Sequence, residues 1–595
     1  MDPVALAVSK FTFLDGGIVG LYLLATMVAG IMVRKYVGKV EHFLIAGREM
    51  NLYLGIASLA ATEFGIVTCM YTAQGGYKYG FAWVTPGIAQ ALAMLLIGLT
   101  GFCVRPLRDA GVMTIPELFE KRFGSRIRWA AGVVIVLGGL LNMGTFLRMG
   151  GDFLVTVTGV SKPPTSQTVM AKPAPTTQPA TALASTQPEA TTQPVIATSG
   201  SRPTAPAGPA RITADYEAEP IRSEGIRAWL STHVLEVTMT VLLLMVAVYT
   251  ILGGMLSVLI TDFLQFVVMS AGLIIVTVLI LVYVGWDKLV AAAGTRGEGG
   301  FNPLVHPDLG YSWVFFQLLL NGAATLTWQT TIQRLLAAKD TRTGQKVYTH
   351  TSFFFVCRFM IPVLWGLAAL AVLTPAQTAG MTADDASKFA MPIFLSQFLP
   401  VGLMGILVAA MLAADMSTDS SYMLSWGSVI YNDIMAPIHK KKWPEKKGLL
   451  WSRCIVALIG LFLLFYGLWY KIEGNIWDYL TITGTIYLAS MSVLLIACCY
   501  WKRANSWGAA GAIILGGAIP LGYLTLNLFW RIPDLDAAGN LQYDVNHKVL
   551  DIGYLAKNVG TSWSGIAAFA AATMAMIIGS LVKPGRTQTT PTANE

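Results

Sequence analysis

At 595 residues the chain is long enough for several soluble domains, but 54% hydrophobic and only 12% charged residues describe a chain composed for lipid. Its net charge of +8 sits in short loops between apolar runs, where membrane orientation accounts for it and a nucleic-acid role does not. Six cysteines without zinc-site or disulfide-framework spacing, and no nucleophile with a His partner, argue against a metalloprotein, a secreted scaffold or a membrane enzyme.

Apolar stretches long enough to cross a hydrocarbon core of roughly 30 Å as helices recur along the chain. Thirteen are expected, beginning near Gly16, Leu52, Phe81, Ile127, His233, Leu256, Tyr311, Val347, Val401, Leu449, Ile476, Trp507 and Gly560. In the first, the positive residues Arg34, Lys35 and Lys39 follow the apolar run, the reverse of a signal peptide, so an uncleaved span is expected. With the N-terminus outside, the basic clusters within 34–48, 105–128, 334–346, 440–447, 502–503 and 583–586 share one side. The positive-inside rule makes that side, and the C-terminus, cytoplasmic in a cell inner (plasma) membrane.

The second span, SLAATEFGIVTCMYTAQGG from Ser58, interrupts its apolar run at Thr62, Glu63, Gly65 and Thr68. Between the fourth and fifth spans, 161–219 is built mostly of Pro, Thr, Ala, Ser and Gln, and too little of it is apolar to offset chain entropy, so a disordered extracytoplasmic loop is expected. The sixth span opens YTILGGMLSVLITDFLQF from Tyr249. Gly253 and Gly254 permit a tight turn, and Asp262 either compensates a cation or pairs with a Lys or Arg. The seventh, NGAATLTWQTTIQR from Asn321, is polar near its middle like the second. Two interrupted helices at corresponding positions of two halves point to an inverted-repeat transporter, the alternative being glycine packing notches in a closed bundle.

The ninth span contains AAMLAADMSTDSS from Ala409. At 100° per residue Ala414, Ser417, Thr418 and Ser421 share one face, and Asp415 and Asp419 sit together on the adjoining one. Stacked hydroxyls beside a small residue offer hard oxygens that suit a dehydrated alkali cation. The same hydroxyls can instead bond back to their own i−4 carbonyls.

Taken together, FLIAGREMN from Phe43, the second-span segment, GVMTIPELFEKRFGSRIR from Gly111, YTILGGMLSVLITDFLQ, TIQRLLAAKD from Thr331 and LPVGLMGILVAAMLAADMSTDSS from Leu399 resemble the sodium:solute symporter family. The resemblance implies an all-α polytopic membrane protein with a leucine-transporter-like 5+5 inverted-repeat bundle of about thirteen transmembrane helices. Residues 1–49 would be an extra span and cytoplasmic loop, 50–160 and 226–286 the first repeat around an insertion at 161–225, 287–505 the second repeat with its preceding loop, and 506–595 the extra C-terminal spans and short tail. It assigns a principal sodium site to backbone oxygens of Ala61, Phe64 and Ala414 and the hydroxyls of Ser417 and Thr418. A second cation, present in some members, would use Asp262, Ser417, Ser420 and Ser421.

The substrate positions depart from those of the family's galactose carrier, with Gly87, Thr68 and Ala324 where that protein has a glutamate, a glutamine and an aromatic gate. Candidate substrate or coupling residues are Glu63, Thr68, Gln90 and Asn321, with Thr325, Gln329, Asp415 and Asp419. The activity implied is sodium-coupled uptake of a small polar organic solute by alternating access. Proton coupling through the acidic residues and a non-transporting solute sensor are the alternatives. The expected ligands are Na+, the solute and the bilayer, with no organic cofactor, nucleic acid or obligate protein partner.

Overall fold

The structure, a computed structural model, describes residues 11–159, 233–379, 381–438, 443–470, 475–533 and 551–583. The expected insertion and the tail beyond 583 lie outside the described residues. Among the described residues, sixteen helices make up most of the bundle. The first half holds α1 (Phe13–Met32), α2 (Leu52–Glu63), α3 (Ile66–Tyr79), α4 (Thr85–Thr100), α5 (Ser125–Met143), α6 (Phe146–Thr158) and α7 (Val234–Tyr283). The second holds α8 (Gly310–Thr327), α9 (Gln329–Ala337), α10 (Thr341–Val372), α11 (Ala383–Phe398), α12 (Leu403–Val429), α13 (Glu445–Trp469) and α14 (Ile476–Tyr500), followed by α15 (Ser506–Phe529) and α16 (Gly560–Val582). Ten helical stretches among the described residues are long and apolar enough to cross a membrane by length and composition.

The expected second and seventh spans are each two short helices. The first break falls at Phe64 (φ −105°, ψ 79°) and Gly65 (φ −86°, ψ 167°), and the second at Trp328 (φ −64°, ψ 118°), six residues beyond Gly322. Such breaks free backbone polar groups, which membrane interiors tolerate only where protein or a cavity satisfies them. The expected fifth and sixth spans follow one another without a loop in α7, which turns at Gly254 (φ 54°, ψ −149°). A Cβ there would lie 2.5 Å from the Phe43 carbonyl oxygen, so the turn requires glycine.

Helix α12 is the centre of the bundle, buried at every residue from 407 to 429. It packs along α7, α1 and α2, while α4 and α3 pack along α10. Its first turn is closed by a carboxylate from another span: Asp15 Oδ1 of α1 accepts from the Gly402 and Gly405 amides at 2.8 and 2.7 Å. A negative group at a helix N-terminus satisfies otherwise unpaired N–H groups and complements the helix dipole. The basic loops meet at one end of the bundle, where Arg48 donates to the Gly111 carbonyl at 2.6 Å and Arg108 to that of Ala338 at 2.5 Å. Arg334, grouped with those loops by its position in the chain, is instead fully buried within α9.

Candidate functional site

Four of the five positions expected to hold sodium come together at the first break. Ser417 Oγ lies 2.9 Å from the Ala61 carbonyl oxygen and 3.0 Å from that of Ala414, within hydrogen-bond distance of both for its single proton. Thr418 Oγ1 lies 2.9 Å from the Ala414 oxygen and 3.0 Å from that of Thr62. The hydroxyls therefore bond back along their own helix and also reach across to the end of α2. Phe64 stands at the break itself, its backbone outside both helices. Gly65 permits the approach, since a Cβ there would lie 2.8 Å from Thr418 Oγ1. The result is a cluster of uncharged hard oxygens, the donor type that alkali cations take.

Beside this cluster is a cavity of ≈ 90 Å³, and Thr62, Gly65 and Thr418 belong to the walls of both. Of the candidate substrate or coupling residues, Glu63, Thr68, Gln90 and Asn321 line it, whereas Thr325, Gln329, Asp415 and Asp419 do not. Aromatic rings of Tyr71, Phe146, Trp328, Phe359, Tyr422 and Trp477 form much of the rest. Trp328, freed by the second break between α8 and α9, donates from Nε1 to Tyr422 OH at 3.0 Å and so joins the aromatic lining that α3, α6, α10, α12 and α14 supply. Gly87 contributes nothing to the cavity because α10 crosses directly over it, with the Phe355 carbonyl oxygen 2.8 Å from where a Cβ would be.

Arg358 of α10 organises the polar side of the cavity. Its Nη1 contacts Glu63 Oε2 at 3.2 Å and Gln90 Oε1 at 3.3 Å, and its Nη2 reaches Thr68 Oγ1 at 3.2 Å and Tyr71 OH at 3.3 Å. The other Glu63 oxygen accepts from Thr330 at 2.8 Å and Thr331 at 3.2 Å. Residues from α2, α3, α4, α9 and α10 thus meet on one ion pair, directly beside the carbonyls of the first break.

A second buried pair lies on the other side of α2. Asp262 Oδ2 accepts from Ser58 at 2.5 Å, from Thr62 at 3.4 Å and from Arg334 Nη2 at 3.0 Å. Arg334 also donates to Thr62 Oγ1 at 2.7 Å, to Ser58 at 3.1 Å and to Ser421 Oγ. Asp262 and Ser421, two residues assigned to a second cation, therefore share one guanidinium, while Ser420 bonds to the Ser417 carbonyl at 3.2 Å. Asp262 Oδ1 and both amide atoms of Gln265 make no hydrogen bond among the described residues.

Among the remaining candidates, Asp415 and Asp419 are buried and form no ion pair among the described residues, and Asp419 Oδ1 has no hydrogen-bond partner there. Asp415 faces Gly150 of α6, where an added Cβ would lie 2.9 Å from its oxygens. Thr325 bonds back to the Asn321 carbonyl at 2.8 Å, and neither amide atom of Gln329 finds a partner among the described residues.

The two arginines are absent from the residues singled out in the sequence. Arg358 could have been found there, because a cation well inside an apolar span is a candidate by cost alone. Arg334 could not, because it follows the polar TWQTTIQ run and reads as the start of a basic loop.

A family model described as the sodium:solute symporter family matches residues 43–165 and 229–516. Sodium/glucose cotransporter 4 of Danio rerio is 23% identical over 596 aligned positions, covering 93% of this chain and 78% of that protein. The osmoregulated proline transporter OpuE of Bacillus subtilis is 27% identical, over 48% of this chain and 56% of OpuE. Sodium/myo-inositol cotransporter 2 of Mus musculus is 26% identical, over 50% of this chain and 48% of that protein. Among solved structures, the substrate-bound outward-open state of a Na+-coupled sialic acid symporter superimposes with a TM-score of 0.68 at 16% identity, covering 97% of this chain and 99% of that one. That likeness shows the leucine-transporter-like fold.

Proposed function

Because the chain belongs to the sodium:solute symporter family, and is thus a multi-pass membrane transporter rather than an enzyme, we propose that it couples sodium entry to uptake of a small polar organic solute across the cell inner membrane, with its C-terminus cytoplasmic. The observation that carries this reading is the shared wall. Thr62, Gly65 and Thr418 border both the oxygen cluster and the cavity, so an ion that orders the break also shapes the solute's enclosure. Each ligand then strengthens binding of the other by the same factor.

Sodium is drawn to the oxygens of Ala61, Phe64, Ala414, Ser417 and Thr418. The solute takes the adjoining cavity, between the Glu63–Arg358 pair and the aromatic wall. Closing the bundle around both, then opening it on the other side, completes a cycle of alternating access. Arg334 on Asp262 supports a single transported sodium, since its guanidinium already supplies the positive charge that a second ion would bring. With a neutral solute, one charge crossing 100 mV releases about 2.3 kcal/mol and a tenfold gradient about 1.4. Together these sustain on the order of 500-fold accumulation.

The test is sodium-activated uptake in proteoliposomes. Ser417→Ala and Thr418→Ala each delete one ligand oxygen while keeping the helix. A missing ligand costs about 1–3 kcal/mol by analogy with an unmade buried hydrogen bond, so half-maximal sodium should rise roughly 5- to 150-fold. Thr418→Ser keeps the oxygen and should be mild. Wild-type sodium dependence in both alanine variants would remove sodium from this place. Proton coupling is the second reading, favoured by Asp415 and Asp419, which are buried and form no ion pair among the described residues. Uptake driven by a pH gradient without sodium, and abolished by Asp419→Asn, would select it.

A further inference from the structure

At the basic end of the bundle, the end of α4 and the start of α10 enclose a groove of ≈ 520 Å³ that plays no part in the site above. Arg105, Arg342, Lys346 and His350 line it, and no Asp or Glu does. Steps of four residues turn a helix by about 40° beyond a full turn, so Arg342, Lys346 and His350 stack on one face of α10. All three are exposed. Arg105 closes the groove from the segment after α4, its Nε donating to Gln345 Oε1 at 3.1 Å while Gln345 Nε2 donates to the Gly98 carbonyl at 3.0 Å. Two carboxylates stand at the edge of the groove, each held by a hydrogen bond to the first turn of α10, whose Thr341 also lines the groove. Asp340 caps α10 by accepting from the Thr343 amide at 2.7 Å, and Asp109 accepts from Thr341 at 2.5 Å. Like charges four residues apart repel, and none of Arg105, Arg342 and Lys346 forms an ion pair among the described residues.

The same two helices continue from the groove into an apolar outer face. Leu92, Leu96 and Leu99 of α4, at i, i+4 and i+7, are 52%, 60% and 62% exposed, and Phe353 of α10 is 73% exposed. Cations at the foot of an apolar channel match a ligand with an anionic head and hydrocarbon tails. A soluble phosphate would use the cations and leave Leu99 and Phe353 without a role. We propose that this groove binds an anionic phospholipid, the phosphodiester seated among Arg105, Arg342 and Lys346 and the acyl chains lying along Leu92, Leu96, Leu99 and Phe353. Basic pockets between helices at the cytoplasmic surface are suited to such head groups. The bound lipid clamps α4 to the start of α10, the helix that carries Arg358 into the cavity about 18 Å beyond Lys346 along its axis.

The experiment uses the full chain purified in neutral detergent, with dioleoylphosphatidylglycerol and dioleoylphosphatidylcholine as probes. Retained lipid is counted by native mass spectrometry, and the thermal midpoint is followed. The wild type should retain phosphatidylglycerol selectively and melt later with it. Each Lys or Arg near an anionic head group strengthens attraction roughly fivefold, so Arg105→Gln/Arg342→Gln/Lys346→Gln should weaken retention on the order of 100-fold. Lys502→Gln/Arg503→Gln, two exposed charges outside the groove, should leave it intact. If the triple variant does not purify, Lys346→Gln alone carries the measurement, with a roughly fivefold loss expected. Three results would overturn the proposal: unchanged retention in the groove variant, equal stabilisation by phosphatidylcholine, or full stabilisation by glycerophosphoglycerol, which has the phosphodiester head group without the tails.

Discussion

Replacing Asp262 by Asn separates a fixed ion pair from a transported second cation. Arg334 has no exposed side-chain surface, and its Nη2 sits 3.0 Å from Asp262 Oδ2. Asparagine keeps the volume and one oxygen, so nothing need move, but the guanidinium is left with the neutral oxygens of Ser58, Thr62, Ser421 and the Thr330 carbonyl. Removing one partner of a buried pair costs roughly 3–5 kcal/mol, whereas removing both charges together is close to neutral. Asp262→Asn should therefore lower the folded-to-unfolded ratio by about two to four orders of magnitude. Asp262→Asn/Arg334→Gln should recover most of the loss.

Thermal unfolding at fixed sodium reads the first effect, and a sodium titration of proteoliposome uptake reads the second. Half-maximal sodium in the double variant should stay within about twofold of wild type, because no oxygen of the Ser417/Thr418 cluster has been removed and the paired charges leave together. An Asp262→Asn protein that melts like the wild type but needs far more sodium would refute the reasoning and assign the carboxylate to a transported ion.

Arg358→Gln should cut solute transport by at least tenfold and destabilise the fold, because Glu63 would be left buried with only the Thr330 and Thr331 hydroxyls. Arg358→Lys should not restore it, since one ammonium cannot span the fork of four partners the guanidinium holds. Glycine substitutions should divide by location: Gly65→Ala places a Cβ 2.8 Å from Thr418 Oγ1 and should raise half-maximal sodium, while Gly322→Ala meets nothing within 4 Å and should be silent in the same titration. Equal behaviour of the two variants would show that the break does not shape the ion's surroundings.

The fold and half of the site were legible before any tertiary information. Apolar length marks spans because a bilayer tolerates little else, and the polar runs at Thr62–Thr68 and Thr325–Thr331 marked the spans that break. The hydroxyl face of α12 followed from helical period alone, since Ala414, Ser417 and Thr418 are neighbours along one helix. Family motifs added the Ala61 carbonyl of α2, while the Thr62 carbonyl that Thr418 also meets was not among the positions they named.

What the sequence could not decide is which charges meet. Asp262 and Arg334 are 72 residues apart, and Glu63 and Arg358 are 295 apart. Periodicity reports a residue's neighbours on its own helix, whereas these pairs exist only because α7, α9 and α10 are packed against α2. By chain position Arg334 belongs to a basic loop; by packing it is a buried counter-charge. The same limit applies to the groove of Arg105 and Arg342. Each arginine alone satisfies the positive-inside rule, and only the crossing of α4 with α10 brings them together beneath an apolar face. Local pattern determined what each helix could offer, and helix packing determined which offers met, because the interaction energy of a buried charge depends on the atoms around it rather than on the residues before and after it.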